Sequence, residues 1–233
     1  MKRGGFTLVE LLAAMAIFAV VLGIVGNYFA QQNSLARANQ ARSELQDRVR
    51  IVMQIVTQDL QMAGASRYSD ASGNINTSVS LASCTYTQCL VAADGGLRDS
   101  FQVQYLTSLQ DVSSACRRVS FDFSGNTLRR SDVTCSSPAD PQPLADNLLA
   151  LDIVYLCSNG NRLGQYPDET NCPSGAAYPR SALVSVVGQS RSRVAGTPPN
   201  SYPTSSGRTV DCPAGFLCYA MSQEVRMPSL KDQ

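Results

Sequence analysis

The sequence predicts an α+β fold, in which one long N-terminal helix packs against an antiparallel β-sheet domain. Three observations support this prediction. The stretch Leu8–Gly26 is uncharged apart from Glu10, and residues 31–63 contain neither Pro nor Gly. After residue 65 the chain changes to short alternating runs, separated by loops rich in Ser, Gly, Asn and Pro. Long apolar or amphipathic runs indicate helix, and short alternating runs indicate strands.

The first stretch has the length of a membrane span. At about 1.5 Å per residue, a helix over Leu8–Gly26 nearly crosses the roughly 30 Å hydrocarbon core of a bilayer. Lys2 and Arg3 precede it, and the next basic residue is Arg37. The positive-inside rule therefore predicts a single pass with a cytoplasmic N-terminus. Residues 26–30 are a poor cleavage site for a secretory signal peptide, so we expect the span to be retained.

The helix is predicted to continue from Phe6 to Ala63, with Gly64 as its stop signal. Its second half is amphipathic, because apolar residues recur there every three or four positions. We expect lipid or other helices to cover the first half and the following domain to cover the second. The predicted apolar face comprises Leu35, Ala38, Ala41, Leu45, Val49, Val52, Val56 and Leu60.

The later runs predict one antiparallel sheet on the second half of the helix. Residues 124–126 are expected to form a turn that joins the strands Val119–Phe123 and Thr127–Arg130 in a hairpin. Leu148–Leu156 has the strongest strand pattern, and the other predicted strands are Phe101–Leu106, Ala182–Val187 and Phe216–Val225. In the strand over Leu148–Leu156, one face is predicted to carry Leu149, Leu151, Ile153 and Tyr155. Loops are expected over 66–83, 131–143, 158–181 and 189–215.

The composition argues against an enzyme and against a metal or cofactor. The chain has no His, and His is the commonest acid-base side chain and metal ligand. Its formal net charge is +1, which provides no general attraction to nucleic acid. Arg117-Arg118 and Arg129-Arg130 would nevertheless lie on adjacent strands of the hairpin. A small basic patch that binds DNA is therefore an alternative, and a solvated face is the favoured interpretation.

The segment Gly4-Gly5-Phe6-Thr7-Leu8-Val9-Glu10-Leu11-Leu12 resembles the class III signal of type IV pilins and pseudopilins. The resemblance implies a type IV pilin-like fold, cleavage by prepilin peptidase between Gly5 and Phe6, and N-methylation of Phe6. The mature chain would then carry one more acidic than basic side chain. The implied segments are a leader over 1–5, a transmembrane and assembly helix over 6–30, its amphipathic half over 31–64, and an extracytoplasmic β-rich domain over 65–233.

Glu10 has a physical interpretation of its own. A carboxylate inside an apolar span is costly and needs a partner. The new α-amino group of Phe6 lies one helical turn away in the same chain, and a neighbouring subunit could bring its Glu10 to the same amine. We therefore expect a charge pair that sets the register of assembly. The alternative is a Glu10 that remains hydrated near the membrane surface.

Later segments are similar to minor pilins of the PilW family: Gln54–Gly64, Leu148–Tyr155, Arg180–Val187 and Val225–Leu230. This resemblance implies a minor pilin that enters, or initiates, a type IV pilus, with roles in adhesion, twitching motility or DNA uptake. Its implied partners are other major and minor pilins, prepilin peptidase and the inner membrane, before it reaches the cell surface. Alternatives are a GspJ-like pseudopilin of a type II secretion system and a DNA-binding pilus-tip subunit.

All 8 Cys lie after the membrane span. In an oxidising extracytoplasmic space, an even number of Cys predicts disulfides. Neighbouring pairs are favoured because each brackets a loop or a hairpin-sized segment: Cys84–Cys89, Cys116–Cys135, Cys157–Cys172 and Cys212–Cys218. A thiolate zinc site from Cys84, Cys89, Cys212 and Cys218 is the alternative, and it lacks the usual ligand spacing.

Overall fold

A computed structural model describes residues 8–65, 68–69, 75–76, 89–107, 116–164, 172, 178–194 and 197–231. The chain separates into two compact units, Met1–Ser43 and Glu44–Gln233. The helix α1 (Leu8–Met62) supplies the described part of the first unit and enters the second. The predicted long helix is therefore confirmed over these residues.

The β-rich unit contains short and long strands in succession. They are β1 (Tyr68–Ser69), β2 (Ile75–Asn76), β3 (Leu90–Ala93), β4 (Ser100–Leu106), β5 (Cys116–Ser124), β6 (Thr127–Thr134), β7 (Gln142–Ala145), β8 (Leu148–Cys157), β9 (Arg162–Leu163), β10 (Pro179–Gln189), β11 (Ser201–Pro203), β12 (Thr209–Asp211) and β13 (Cys218–Arg226). A 3₁₀ helix follows over Pro228–Lys231.

Gly64 ends the helix, as predicted. Its φ is 75°, which lies in the left-handed region that glycine adopts without steric cost. The amide of Gly64 donates to the carbonyl of Gln104 at 2.9 Å, and the amide of Ala65 donates to the carbonyl of Met62 at 2.9 Å. These bonds satisfy a free helical carbonyl and tie the helix end to β4.

The predicted α+β class, a long helix with antiparallel strands, is confirmed, and the longer strands divide into two main sheets instead of one. Five strands form an antiparallel meander in the order β3-β4-β5-β6-β7, and four form a second sheet in the order β13-β10-β8-β9. The amide of Asp99 donates to the carbonyl of Leu151, which joins the loop after β3 to β8. The strands β8 and β10 are buried on both faces, so they need cover on both sides. Residues of α1 lie on one side, and the ribbon β11-β12 lies on the other.

The prediction that four residues of β8 share one face was wrong at one position. Leu151, Ile153 and Tyr155 lie in the main core, whereas Leu149 packs in a small cluster beneath the ribbon. The cause is a register irregularity at this end, where Val187 pairs with Ala150 but Gly188 pairs with Leu148. The extra residue reverses the alternation of side chains.

The hairpin is confirmed, with Gly125 at a φ of 60° in its turn. Several predicted loops were wrong in part. Residues 131–134 extend β6, 142–145 form β7, 179–181 begin β10, and 201–203 with 209–211 form the ribbon. These segments carry too many Pro, Ser and Asp residues to show a strand alternation. Most of the predicted loop over 66–83 lies outside the described residues.

The buried side of α1 begins at Leu45. The buried apolar helix residues are Leu45, Val49, Val52, Met53, Val56 and Leu60. Gly188 of β10 lies so close to α1 that a Cβ there would stand 2.9 Å from Val49. Leu35, which the periodicity placed on the same face, is 57% exposed. The part of α1 that the sheets bury therefore begins further along the chain than the sequence pattern predicted.

Candidate assembly site

The first part of α1 presents an apolar surface with nothing packed on it. The helix contains an 18-residue window apolar enough to cross a membrane, and 0% of that window is buried. Its exposed large side chains are Leu8, Val9, Leu11, Leu12, Met15, Ile17, Phe18, Val20, Val21, Leu22, Ile24, Val25, Tyr28 and Phe29. A continuous apolar surface of this size requires lipid or other apolar helices as cover.

Glu10 lies in the first turn of the described helix. A negative charge is favourable there, because the helix dipole places partial positive charge at its N-terminus. The side chain is exposed in the single chain. Gly5 and Phe6 lie outside the described residues, so cleavage, methylation and the charge pair with Glu10 stay predictions.

Each described disulfide joins two cysteines that are consecutive in the sequence. Disulfides join Cys116 to Cys135, Cys157 to Cys172, and Cys212 to Cys218. Cys89 is also disulfide-bonded, and its predicted partner Cys84 lies outside the described residues. The zinc alternative is overturned, because Cys212 and Cys218 are bonded to each other. Among the described residues there is no group of three or more Cys, Asp or Glu that could hold a metal ion.

Three of the four hairpin arginines pair with carboxylates of the same chain, and the fourth donates to a backbone carbonyl. Arg117 donates to Asp132 from Nε at 2.9 Å, and Arg129 donates to Asp122 from Nη2 at 2.6 Å. Arg130 binds Asp59 through two nitrogens, at 2.9 and 3.2 Å. Arg118 donates to the carbonyl of Ser137. The patch that a DNA-binding function would need is therefore largely neutralised within the chain.

Asp59 is a buried acid that the sequence analysis missed. It lies on α1 with 5% of its surface exposed, and it is the only fully buried charge among the described helix residues. Burial raises the pKa of Asp59, and the hydrogen bond from Arg130 opposes that rise. The bidentate pair fixes β6 against the helix. The available signal was an acidic residue directly before Leu60, at the end of the apolar face.

A second buried cluster joins both sheets to the ribbon. Asp99, 3% exposed, accepts hydrogen bonds from the amides of Gly95 and Ile153 at 2.9 and 2.8 Å. Burial raises the pKa of Asp99 to about 7, although the two amides oppose the rise. Arg208 of the ribbon pairs with Asp94 at 2.8 Å and with the buried Asp152 at 3.6 Å. No periodicity marked this cluster, because its members come from segments that are far apart in the sequence.

Comparison with known proteins gives three results. Residues 1–26 match the family model of the prokaryotic N-terminal methylation motif. The pilin-like protein PilA3 of Thermus thermophilus is 51% identical over 240 residues, which cover 99% of this chain and 98% of that protein. The type IV-like pilin TTHA1219 from Thermus thermophilus has the same fold, with a TM-score of 0.54 at 16% identity over 80% of this chain and 97% of that chain.

Both relatives are named as pilins or pilin-like proteins. The prepilin motif and the exposed apolar helix fit a membrane-anchored precursor that assembles with other pilins. The sequence identity to PilA3 extends over nearly the whole of both chains. The protein therefore belongs to the type IV pilin-like family.

Proposed function

We propose that the protein is a minor pilin of the PilW type, which enters a type IV pilus or initiates its assembly. Prepilin peptidase removes residues 1–5 and Phe6 becomes the methylated N-terminus. Residues 6–30 first anchor the subunit in the inner membrane and later pack among other pilin helices. Residues 31–64 support the β-rich extracytoplasmic domain over 65–233.

One observation carries this proposal: the exposed apolar part of α1 begins within the motif, and it holds a single carboxylate, Glu10, in its first described turn. Lipid covers such a surface before assembly. In a filament, neighbouring helices take the place of lipid, and Glu10 supplies the one charge that specifies their axial register.

The pairing of the hairpin arginines argues against the DNA-binding tip subunit. Arg117, Arg129 and Arg130 each face a carboxylate, and the phosphates of DNA would have to displace these partners. A GspJ-like pseudopilin remains the alternative class. It shares the same maturation, and it differs in the apparatus that it joins.

The test is the mass of the mature N-terminus, measured on chain purified from its native host membranes. We expect a chain that starts at Phe6 and carries one additional methyl group. Gly5→Val should block cleavage, because a side chain hinders the approach of the peptidase to the scissile bond, while Val91→Ala in the β-rich domain should be processed normally. An intact Met1, or cleavage near Ala30, would contradict the proposal.

A second measurement separates a pilus from a secretion apparatus. Surface filaments sheared from cells should contain the mature chain, and a deletion strain should lose filaments or twitching. Normal filaments combined with loss of protein secretion would favour the pseudopilin.

A further inference from the structure

Three arginines gather at one corner of the four-stranded sheet. Leu156 of β8 pairs with Arg162 on β9 and with Ser181 on β10, and Ser181 pairs with Arg226 on β13. Cross-strand partners point to the same face of a sheet, so these residues form a single row. A cavity of about 410 Å³ is lined by three members of this row, Leu156, Ser181 and Arg226, and also by Arg180 and Glu224. We name Arg162, Arg180 and Arg226 the basic corner.

The basic corner differs from the other arginine clusters of this unit. The hairpin arginines and Arg208 hold carboxylates of the same chain. Within the part of the chain that the structure describes, none of the three corner arginines forms an ion pair, and all three are exposed. Among the described residues, Glu224 is the single carboxylate that lines the cavity. The corner therefore presents an excess of guanidinium groups, which bind carboxylates well.

An acidic groove of about 550 Å³ lies between α1 and the edge strand β7. Its rim carries three carboxylates and two guanidiniums, those of Glu44, Asp47, Asp146, Arg48 and Arg191. Its apolar lining includes Ile51, Val52 and Leu144. Ile51 is 55% exposed, and a side chain of this kind is an anchor for a partner surface.

Arg48 is oriented toward the backbone in this groove. Its Nη1 lies 3.4 Å from the carbonyl of Asp146 and 3.3 Å from the carbonyl of Gln189. The carboxylates of Glu44 and Asp47 lie on the exposed side of α1. The groove thus combines an exposed apolar centre with a rim in which acidic groups outnumber basic ones.

The basic corner and the acidic groove lie at opposite ends of one strand. The corner surrounds the start of β10 at Arg180, and the groove lies beside its end, where Arg48 contacts Gln189. Nine strand residues separate these points, which corresponds to about 30 Å at 3.3 Å per residue. The two surfaces cannot meet within one molecule. A contact between them on different copies is heterologous, the class of contact that forms open filaments where the rotation between copies does not close into a ring.

We propose that the basic corner of one copy docks into the acidic groove of a second copy of this chain. Arg180 and Arg226 face Glu44 and Asp47 of the neighbour, and Leu156 lies near the neighbour's Ile51. This contact joins the β-rich domains of adjacent subunits, in addition to the packing of their apolar helices. It rests on the proposed role as a filament subunit, and it does not depend on cleavage or methylation.

The test is a charge-swap experiment on the full mature chain in detergent micelles, with two differently tagged copies. The corner variant is Arg180→Glu with Arg226→Glu, and the groove variant is Glu44→Lys with Asp47→Lys. We expect each variant alone to lose at least about tenfold in self-association constant, and the mixture of the two to recover it. Arg37→Glu with Arg42→Glu, outside both surfaces, is the matched control and should associate like the wild type.

Added salt should weaken the wild-type contact, because the charges lie on exposed rims. The neutral variant Arg180→Gln with Arg226→Gln should lose association to a smaller degree, and it provides a second readout if the reversed chain fails to fold. Unchanged association of the corner variants, failure of the mixture to recover it, or association with other pilins alone would overturn the proposal. The N-terminal mass is measured on the same samples, so an unprocessed chain counts against the pilin function and not against this contact.

Discussion

The two halves of the long helix show how one element serves two different environments. From Leu8 to Phe29 the large apolar side chains point in all directions and are exposed. From Leu45 to Leu60 most apolar residues follow one face and are buried by the two sheets, with Ile51 as an exposed exception. A helix that is apolar all round is covered by something other than its own domain, whereas an amphipathic helix is covered by the domain itself. The change from an apolar to an amphipathic pattern marks where the helix begins to pack against its own domain.

Each half also holds one distinctive carboxylate. Asp59 lies in the buried half and receives Arg130 from β6 of the same chain. Glu10 lies in the exposed half, and its proposed partner is the α-amino group of Phe6 in its own chain and in a neighbouring subunit. The same physical cost, a carboxylate in apolar surroundings, is therefore offset within the fold in one half and by assembly in the other.

The largest effect should come from matched truncations in the two halves. Leu60→Ala removes a side chain with 0% exposure and should lower the free energy of unfolding by about 4 kcal/mol. Leu22→Ala, in the exposed half, should leave it unchanged, because the β-rich domain does not bury Leu22. Urea unfolding of the mature chain in micelles measures both. Equal losses for the two variants would show that the halves do not differ in this way.

The second effect concerns the two carboxylates. Asp59→Ala leaves Arg130 without its buried partner and should destabilise the domain by about 3 kcal/mol. Asp122→Ala, at the more exposed pair with Arg129, should cost less than about 1 kcal/mol and is the control for loss of an ion pair. Glu10→Ala should leave the unfolding free energy unchanged and should abolish filaments. Filaments of normal number and length would contradict the role assigned to Glu10.

The sequence was sufficient for the features that depend on local pattern. The helix, its stop at Gly64, the hairpin at Gly125 and the strand cores of β4, β8, β10 and β13 all follow from periodicity and turn residues. The three described disulfide pairs also join nearest neighbours along the chain, as expected.

The features that depend on distant contacts could not be obtained in this way. The ribbon β11-β12 has strands of three residues, which are too short to show alternation. The division into two sheets depends on pairing between β8, β10 and β13, and a strand pattern does not specify its partner. The sequence pattern did not mark Asp99 or Asp152 as buried. Asp152 is bound by Ser206 and Arg208 of the ribbon. Asp99 is bound by the amides of Gly95 and Ile153.

The smallest expected effect is the pH dependence of the unfolding free energy that arises from Asp99, a buried carboxylate with no arginine bonded to it. Asp99 is held by the amides of Gly95 and Ile153, and burial raises its pKa to about 7. The charged groups around it are Asp94 and Asp152, which repel its negative charge, and Arg208, which pairs with both of them. The hydroxyl of Tyr155 is also nearby and has no hydrogen-bond partner within the described structure.

Because the pKa of Asp99 is higher in the folded than in the unfolded chain, the folded state binds more protons between these two values. Its contribution to stability is complete below about pH 4 and is lost as the pH rises to about 7. The expected slope is at most about 1.4 kcal/mol per pH unit, and the chain has no His to obscure it. Urea unfolding of the mature chain from pH 5 to pH 8 measures this slope. Asp99→Asn should be less stable at every pH, because one amide loses its acceptor, and its profile should be flatter over this range; an unchanged slope would assign the titration to another group.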